Sequence, residues 1–249
     1  MQIRSKSVLA AATLLCLAAG ASASVSQYCF TVVARSGAET ATFQVLSEDM
    51  YTTGVEGEYL WELSSPYQLR SQNDVLLGTL TSGRVSYIED PVVSINFAVT
   101  AGNVMTAFDV SSVQLGFATI SNGIADAVAG ISSDDLSGNF DVTVGPSGTF
   151  PGNTIYAARY NNTATLDGTD FGGGLLVGPY NHPFVISDSG SIPSAMIPGN
   201  VNNIQAGFRF TLSEGDQASG TSTFTIVIPA PGAAGLLGLA GLLVARRRR

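Results

Sequence analysis

FRFTLSEGDQASGTSTFTIVI, residues 208–228, carries the pattern on which the fold turns. Phe208, Phe210 and Leu212 alternate with Arg209 and Thr211; beyond the bend SEGDQASGT, Phe224, Ile226 and Ile228 alternate with Thr225 and Val227. A period of two sends successive side chains to opposite faces, so the segment reads as two strands that each bury one face. A one-residue slip in either strand would turn its whole apolar set outward, and register is therefore strongly specified.

The same period recurs upstream. Pro91–Ala101, with Val93, Ile95, Phe97 and Val99 on one face, is the clearest core strand. Tyr28–Ala34 and Thr40–Leu46 read as a pair joined around Ser36-Gly37, followed by Tyr59–Leu63 and Val75–Thr81. Val104–Ser111 and Val113–Ile120 continue the series after an Ala101-Gly102-Asn103 turn, and Phe140–Val144, Ile155–Tyr160 and Phe184–Ser187 extend it. Ala125–Ile131 reads as a short helical turn, and Asp167–Asn203, rich in Gly, Pro and Asn, as long-looped. Short antiparallel strands between Gly-, Asn-, Asp- and Ser-rich turns predict an all-β chain, an antiparallel β-sandwich or jelly-roll-like single domain.

The two ends have a different character. Arg4 and Lys6 precede an apolar run, Val8–Ala19, and then Ala21-Ser22-Ala23, the form of a secretory signal peptide cleaved between Ala23 and Ser24. Leu15 is too large to precede a lipidated Cys16, which excludes a lipoprotein signal. At the other end Pro229-Ala230-Pro231 stops the last strand, since proline can neither donate to a sheet nor sit inside a helix. Gly232–Ala245 is uncharged; as a helix its 14 residues span about 21 Å, short of roughly 30 Å of bilayer hydrocarbon. Glycines at 232, 235, 238 and 241 would give such a helix a smooth face for close approach of another. Arg246, Arg247, Arg248 and Arg249 close the chain; the positive-inside bias keeps them cytoplasmic and puts everything before Pro229 across the membrane.

This C-terminal segment resembles the PEP-CTERM sorting signal of bacterial exported proteins, with Ala230 where the usual motif has glutamate. Tyr87–Gly102 and Phe208–Gly232 are also similar to segments of PEP-CTERM proteins of uncharacterised function. The resemblance implies processing by an exosortase-type membrane enzyme, transient anchoring, and then a surface or extracellular location. It implies no catalytic residues. The expected organisation is a signal peptide over 1–23, an exported β domain over 24–228 and a sorting segment over 229–249.

The expected exported domain holds all 19 carboxylates and only Arg35, Arg70, Arg84, Arg159 and Arg209 as bases, a formal charge of −14. Such a field repels nucleic acid and other polyanions and favours divalent cations. Cys29 is the one cysteine left after export, so no internal disulfide can form; its place in QYCFTVVA suits packing in a core.

Chemical signatures are few. His182, in YNHPF, is the single histidine, no serine sits in G-x-S-x-G, and a usual Cys/His zinc site cannot be assembled. Glu56 with Glu58, Glu89 with Asp90, and Asp134 with Asp135 are paired carboxylates of the kind a glycoside hydrolase uses, although any acidic domain offers such pairs. Asp134, Asp135, Asn139 and Asp141, together with Asp167 and Asp170, supply hard oxygen ligands on Gly-rich loops and are calcium candidates outside any EF-hand pattern; the commoner role of such groups is in solvated turns. Trp61, Tyr67, Tyr87, Tyr156, Tyr160 and Tyr180 could line a sugar platform, but Trp61 alternates with Tyr59 and Leu63 and reads as core. The leading expectation is a non-enzymatic cell-envelope or extracellular-matrix protein. Its rivals are a carbohydrate- or calcium-binding adhesion module, with extracellular polysaccharide as partner, and an unrecognised glycoside hydrolase.

Overall fold

The computed structural model describes residues 24–148 and 150–227. The expected signal peptide, with its expected cleavage after Ala23, and the 229–249 segment lie outside the described residues. Among the described residues no helix is long and apolar enough to cross a membrane.

Eighteen strands and two three-residue 3-10 turns make up the described chain. The first eight strands are β1 (Ser24–Val25), β2 (Tyr28–Ser36), β3 (Glu39–Leu46), β4 (Tyr51–Thr52), β5 (Glu58–Glu62), β6 (Tyr67–Arg70), β7 (Leu76–Ile88) and β8 (Val92–Ala101). Next come β9 (Thr106–Ser112), β10 (Leu115–Ser121), β11 (Ile124–Asp134), β12 (Val142–Pro146) and β13 (Tyr156–Tyr160). The chain ends with β14 (Thr169–Asp170), β15 (Tyr180–His182), β16 (Val185–Met196), β17 (Asn200–Leu212) and β18 (Gln217–Val227).

They form two antiparallel sheets, one of ten strands and one of eight. In the larger, β17 is the spine: β10 and then β9 pair along one edge, β13 and then β12 along the other. In the smaller, the order β16-β11-β18-β8-β7-β5-β4 is continuous, with β6 also on β7. The sheets face each other across one core. Phe97 of β8 meets Phe208 of β17 edge-on at 5.1 Å between ring centres and stacks near Phe210 at 5.9 Å. Farther along, Phe30 of β2 stacks on Trp61 of β5 at 5.4 Å.

The strongest alternations behave as the sequence predicts. Val93, Ile95, Phe97 and Val99 are buried, as are Phe208, Phe210, Leu212, Phe224 and Ile226. The hairpin of β2 and β3 turns at Gly37, whose φ of 57° suits a residue without a Cβ.

Three readings are corrected. Ala125–Ile131 is not a helical turn but the middle of β11: Ala125, Ala127, Ala129 and Ile131 are buried, and each residue of the strand pairs with β18. Alanine favours helix locally, but an alternating apolar face with strands on both edges overrides that preference. Asp167–Asn203 is not long-looped either, because it holds all of β14, β15 and β16 and the start of β17. β16 is an edge strand, and its Pro193 falls opposite the register shift between Ala125 and Ala127, where no ladder donor is required. Finally, β7 runs on past Thr81 to Ile88. Ser82-Gly83 looks like a turn, yet Gly83 lies within the strand, where a Cβ would sit 3.2 Å from the Phe30 ring and 3.3 Å from Trp61.

Strand directions fix where the described chain begins and ends. Val227 pairs with Ile124 beside the β10–β11 and β16–β17 connections, whereas Ser24 pairs with Gly116 partway along the sheet, and β1 runs away from that same end. The opposite end carries the β8–β9, β11–β12 and β17–β18 connections; Gly215 N–H donates to Gly102 O at 2.8 Å and Ala101 N–H to Asp216 O at 2.9 Å, joining the first to the third.

Gly220 of β18 is a close approach in the core, because a Cβ there would stand 2.4 Å from the Phe97 ring. We expect Gly220→Ala to cost about 1–3 kcal/mol of stability. Calorimetry should show a Tm lower by about 2–10 °C; an unchanged Tm would mean that Phe97 has room to move.

Candidate functional site

Carboxylates placed in turns mostly bind their own loops. Asp135 follows β11, and its two oxygens accept from Gly138 N–H at 2.6 Å, Phe140 N–H at 2.9 Å and the Ser137 hydroxyl at 3.0 Å. Desolvation works to raise this carboxyl, but the Phe140 and Gly138 amides and the Ser137 hydroxyl together hold it below its ordinary value. Asp167 does the same for the loop after β13, accepting from the Thr163 hydroxyl at 2.5 Å and from the Thr163 and Ala164 amides at 2.8 Å. The Thr163 hydroxyl, then the Ala164 amide, depress its titration.

The other calcium candidates are not brought together. Asp170 forms an ion pair with Arg159 at 2.8 Å, Asn139 Oδ1 accepts from Asp141 N–H at 2.8 Å, and Asp134 sits opposite Gln217 at the end of β11. Among the described residues no group of three His, Cys, Asp or Glu is placed to hold a metal ion. Of the paired carboxylates, Glu58 accepts from the Thr53 hydroxyl at 2.6 Å in an exposed turn. The Asn73 side chain donates to Glu39 at 2.8 Å, and hydrogen bonds from Ser71 and then Asn73 lower that carboxyl. Glu39, Asp135 and Asp167 thus all shift downward, opposite to the raised value a glycosidase's general acid needs.

The aromatic candidates divide between the sheets and form no common platform. Trp61 packs on Phe30 and, at 5.9 Å, on Phe43; Tyr67 stands over Phe43 at 4.7 Å; Tyr87 stacks on Tyr59 at 4.8 Å. Tyr156 is wholly buried, Tyr160 packs against the core, and the Tyr180 hydroxyl donates to Asp188. His182 lies exposed in β15, where Nδ1 accepts from Phe184 N–H at 3.4 Å. Cys29 is fully buried, and burial pushes its thiol up to about 12.

Two surface features were not foreseen from the sequence. On the larger sheet, Arg159 and Arg209 lie over the Phe150 ring at 5.1 and 4.7 Å, and Arg209 pairs with Asp109 at 2.9 Å. These contacts seat Phe150, in the connection from β12 to β13, on the sheet. The second feature is the outward face of the smaller sheet. Arg84, Asn96, Thr221, Gly130 and Ser189 stand in one register row across five strands, and Ser86, Ser94, Thr223, Val128 and Ser191 in the next. A shallow groove of about 450 Å³ follows these rows. The signal was in the sequence as the polar half of each alternation, the Ser and Asn of VSINFAVT and the Thr residues of TSTFTIV.

No protein-family model matches the chain, and no curated protein matches it. Among solved structures, the enzymatically active domain of bacteriophage CBA120 tailspike protein 4 is similar over 69% of this chain and 20% of that one, at 13% identity and a TM-score of 0.26. This chain therefore spans about a fifth of that structure's length. A likeness of this size carries no argument about activity.

Two outcomes test these assignments. A carboxyl held below its ordinary value stabilises the fold above that value and ceases to do so as pH falls through the folded-state value. Both aspartate loops should therefore hold at neutral pH and loosen only below the ordinary aspartate value of 3.8. Amide chemical shifts of Phe140 and Ala164 should show that acid step, and flat titrations would remove Asp135 and Asp167 as loop fasteners. Buried Cys29 should resist thiol reagents in the native protein and react fully in denaturant; rapid native labelling would contradict its burial.

Proposed function

We propose that the chain is an exported protein of the cell envelope or extracellular matrix, sorted by its C-terminal segment and acting without catalysis. The observation that carries this reading is the sequence Pro229-Ala230-Pro231, the apolar run 232–245 and Arg246–Arg249, which begins two residues after β18. In this reading the tail inserts transiently with the arginines cytoplasmic, and an exosortase-type enzyme processes it near Pro229. The strand directions support it: β18 ends, and the chain enters β1, from the side of the β10–β11 connection, so an export signal before its removal and the C-terminal anchor would both lie toward that end. The opposite end, with Leu136, Phe140 and Phe184 exposed, would then face outward. The finer architecture belongs to the same reading, a single sandwich with jelly-roll-like passage of the chain between sheets.

Intact mass spectrometry of the protein recovered from its native cells tests the proposal. A mature species starting at Ser24 and ending near Pro229, or carrying a replacement anchor there, is the expected outcome. Recovery of the whole chain from Met1 to Arg249 in the cytoplasmic fraction would sink it.

A further inference from the structure

The geometry points to the outward face of the eight-stranded sheet as a binding surface for an uncharged polysaccharide, laid along the groove over β7, β8, β18, β11 and β16. The inference rests on the face itself and holds whether or not the chain is exported.

The floor of the groove is rigid. β8, β18 and β11 each pair along both edges, so the floor offers no free backbone edge, the one at β16 lying at the rim, and recognition within the groove falls to side chains. Those side chains are short and polar. Ser86, Ser94, Asn96, Ser189, Thr221 and Thr223 line the groove, and the Ser94 and Thr223 hydroxyls lie 3.1 Å apart. Short hydroxyl side chains lose little rotamer freedom on binding. Their spacing is a grid of about 4.8 Å across strands and about 6.7 Å along them. Gly130 leaves a hollow in the middle of the row that joins Asn96 and Thr221 to Ser189.

Charge selects the occupant. Arg84 is the one charged residue lining the groove, within a domain whose carboxylates outnumber its bases by 14. A polyanion meets the repulsion of that field for one favourable contact, and a polycation finds no carboxylate in the groove to pair with. Of the apolar side chains that line it, Ile95 and Ala129 are buried and Val128 alone is exposed, too little for a lipid or an amphipathic helix. An uncharged chain bearing its own hydroxyls exchanges hydrogen bonds with the grid group for group. With no aromatic side chain in the groove, each sugar contributes weakly, and useful affinity arises from repeats along the polymer.

The test is affinity gel electrophoresis of the full chain, kept soluble in a polyoxyethylene detergent that carries no sugar, through gels containing dextran, galactomannan or hydroxyethyl cellulose, with alginate as the anionic comparison. Retardation by at least one neutral polymer, and less by alginate, is expected. Gly130→Leu should fold, since a Cβ there meets nothing nearer than Asp188 O at 3.5 Å. By filling the hollow it should weaken retardation about tenfold or more. Asn96→Ala, which loses one amide, should weaken it about fivefold. Thr42→Leu, an exposed position on the other sheet, should leave it unchanged. No retardation by any of the three neutral polymers, stronger retardation by alginate, or undiminished retardation of Gly130→Leu would each overturn the assignment.

Discussion

Phe97 reaches from the smaller sheet into the larger one and is held there between Phe208 and Phe210. Much of the rest of the molecule depends on that contact. Phe210 passes it on to Phe108 of β9 at 5.6 Å, and Phe208 to Tyr156 of β13 at 5.0 Å, so rings from four strands form one continuous contact. Burying a side chain of this size contributes about 1.5–3 kcal/mol. Its larger consequence is register. With Phe97 pointing inward, Asn96 and Ala98 must point outward, and the pairing of β8 with β18 and of β18 with β11 then sets which side chains share each outer row.

The described residues hold one cysteine, so no disulfide joins them to one another, and hydrogen bonds to carboxylates close several of their turns instead. Asp135 and Asp167 gather the amides of their loops. Asp216, fully buried, accepts from the Ser213 hydroxyl and from Ser137 N–H at 3.4 Å, linking the β17–β18 turn to the loop after β11. Asp109 and Asp170 hold Arg209 and Arg159 over Phe150. The acidic composition that suggested calcium sites and catalytic pairs is thus, at these positions, engaged in fastening loops and insertions to the sheets.

How far the fold was legible depended on how local its signals were. β2, β3, β8 and β18 carry large apolar residues at alternate positions, and those strands can be read directly from the chain. β11 hides its alternation in alanines, whose own preference is helical, and becomes a strand because β18 and β16 occupy its two edges. β16 has the Gly, Pro and Ser content of a loop and is ordered by pairing with β11 alone. Gly83 and Gly220 look like turn residues, yet each pairs with Phe97 of β8 within a strand, and an aromatic ring lies close to where its side chain would be. The candidate sites divided in the same way: Asp135 bonds within its own loop, to Ser137, Gly138 and Phe140, whereas Tyr156 meets Phe208, a residue that only folding brings near.

By itself the sequence determines the excess of carboxylates, the period-two alternation that commits the chain to sheets, and the composition of its two ends. Each of these is a property of composition or of neighbours a few residues apart. Tertiary structure alone decides which strands β1 and β18 pair with, that Cys29 and Tyr156 are sealed from water, and that Asn96, Thr221, Gly130 and Ser189 share one row. The reason is physical. Strand periodicity says that a side chain faces in or out, but only the pairing of strands far apart in sequence says which side chains stand beside one another, and a surface able to bind anything is made of such neighbours.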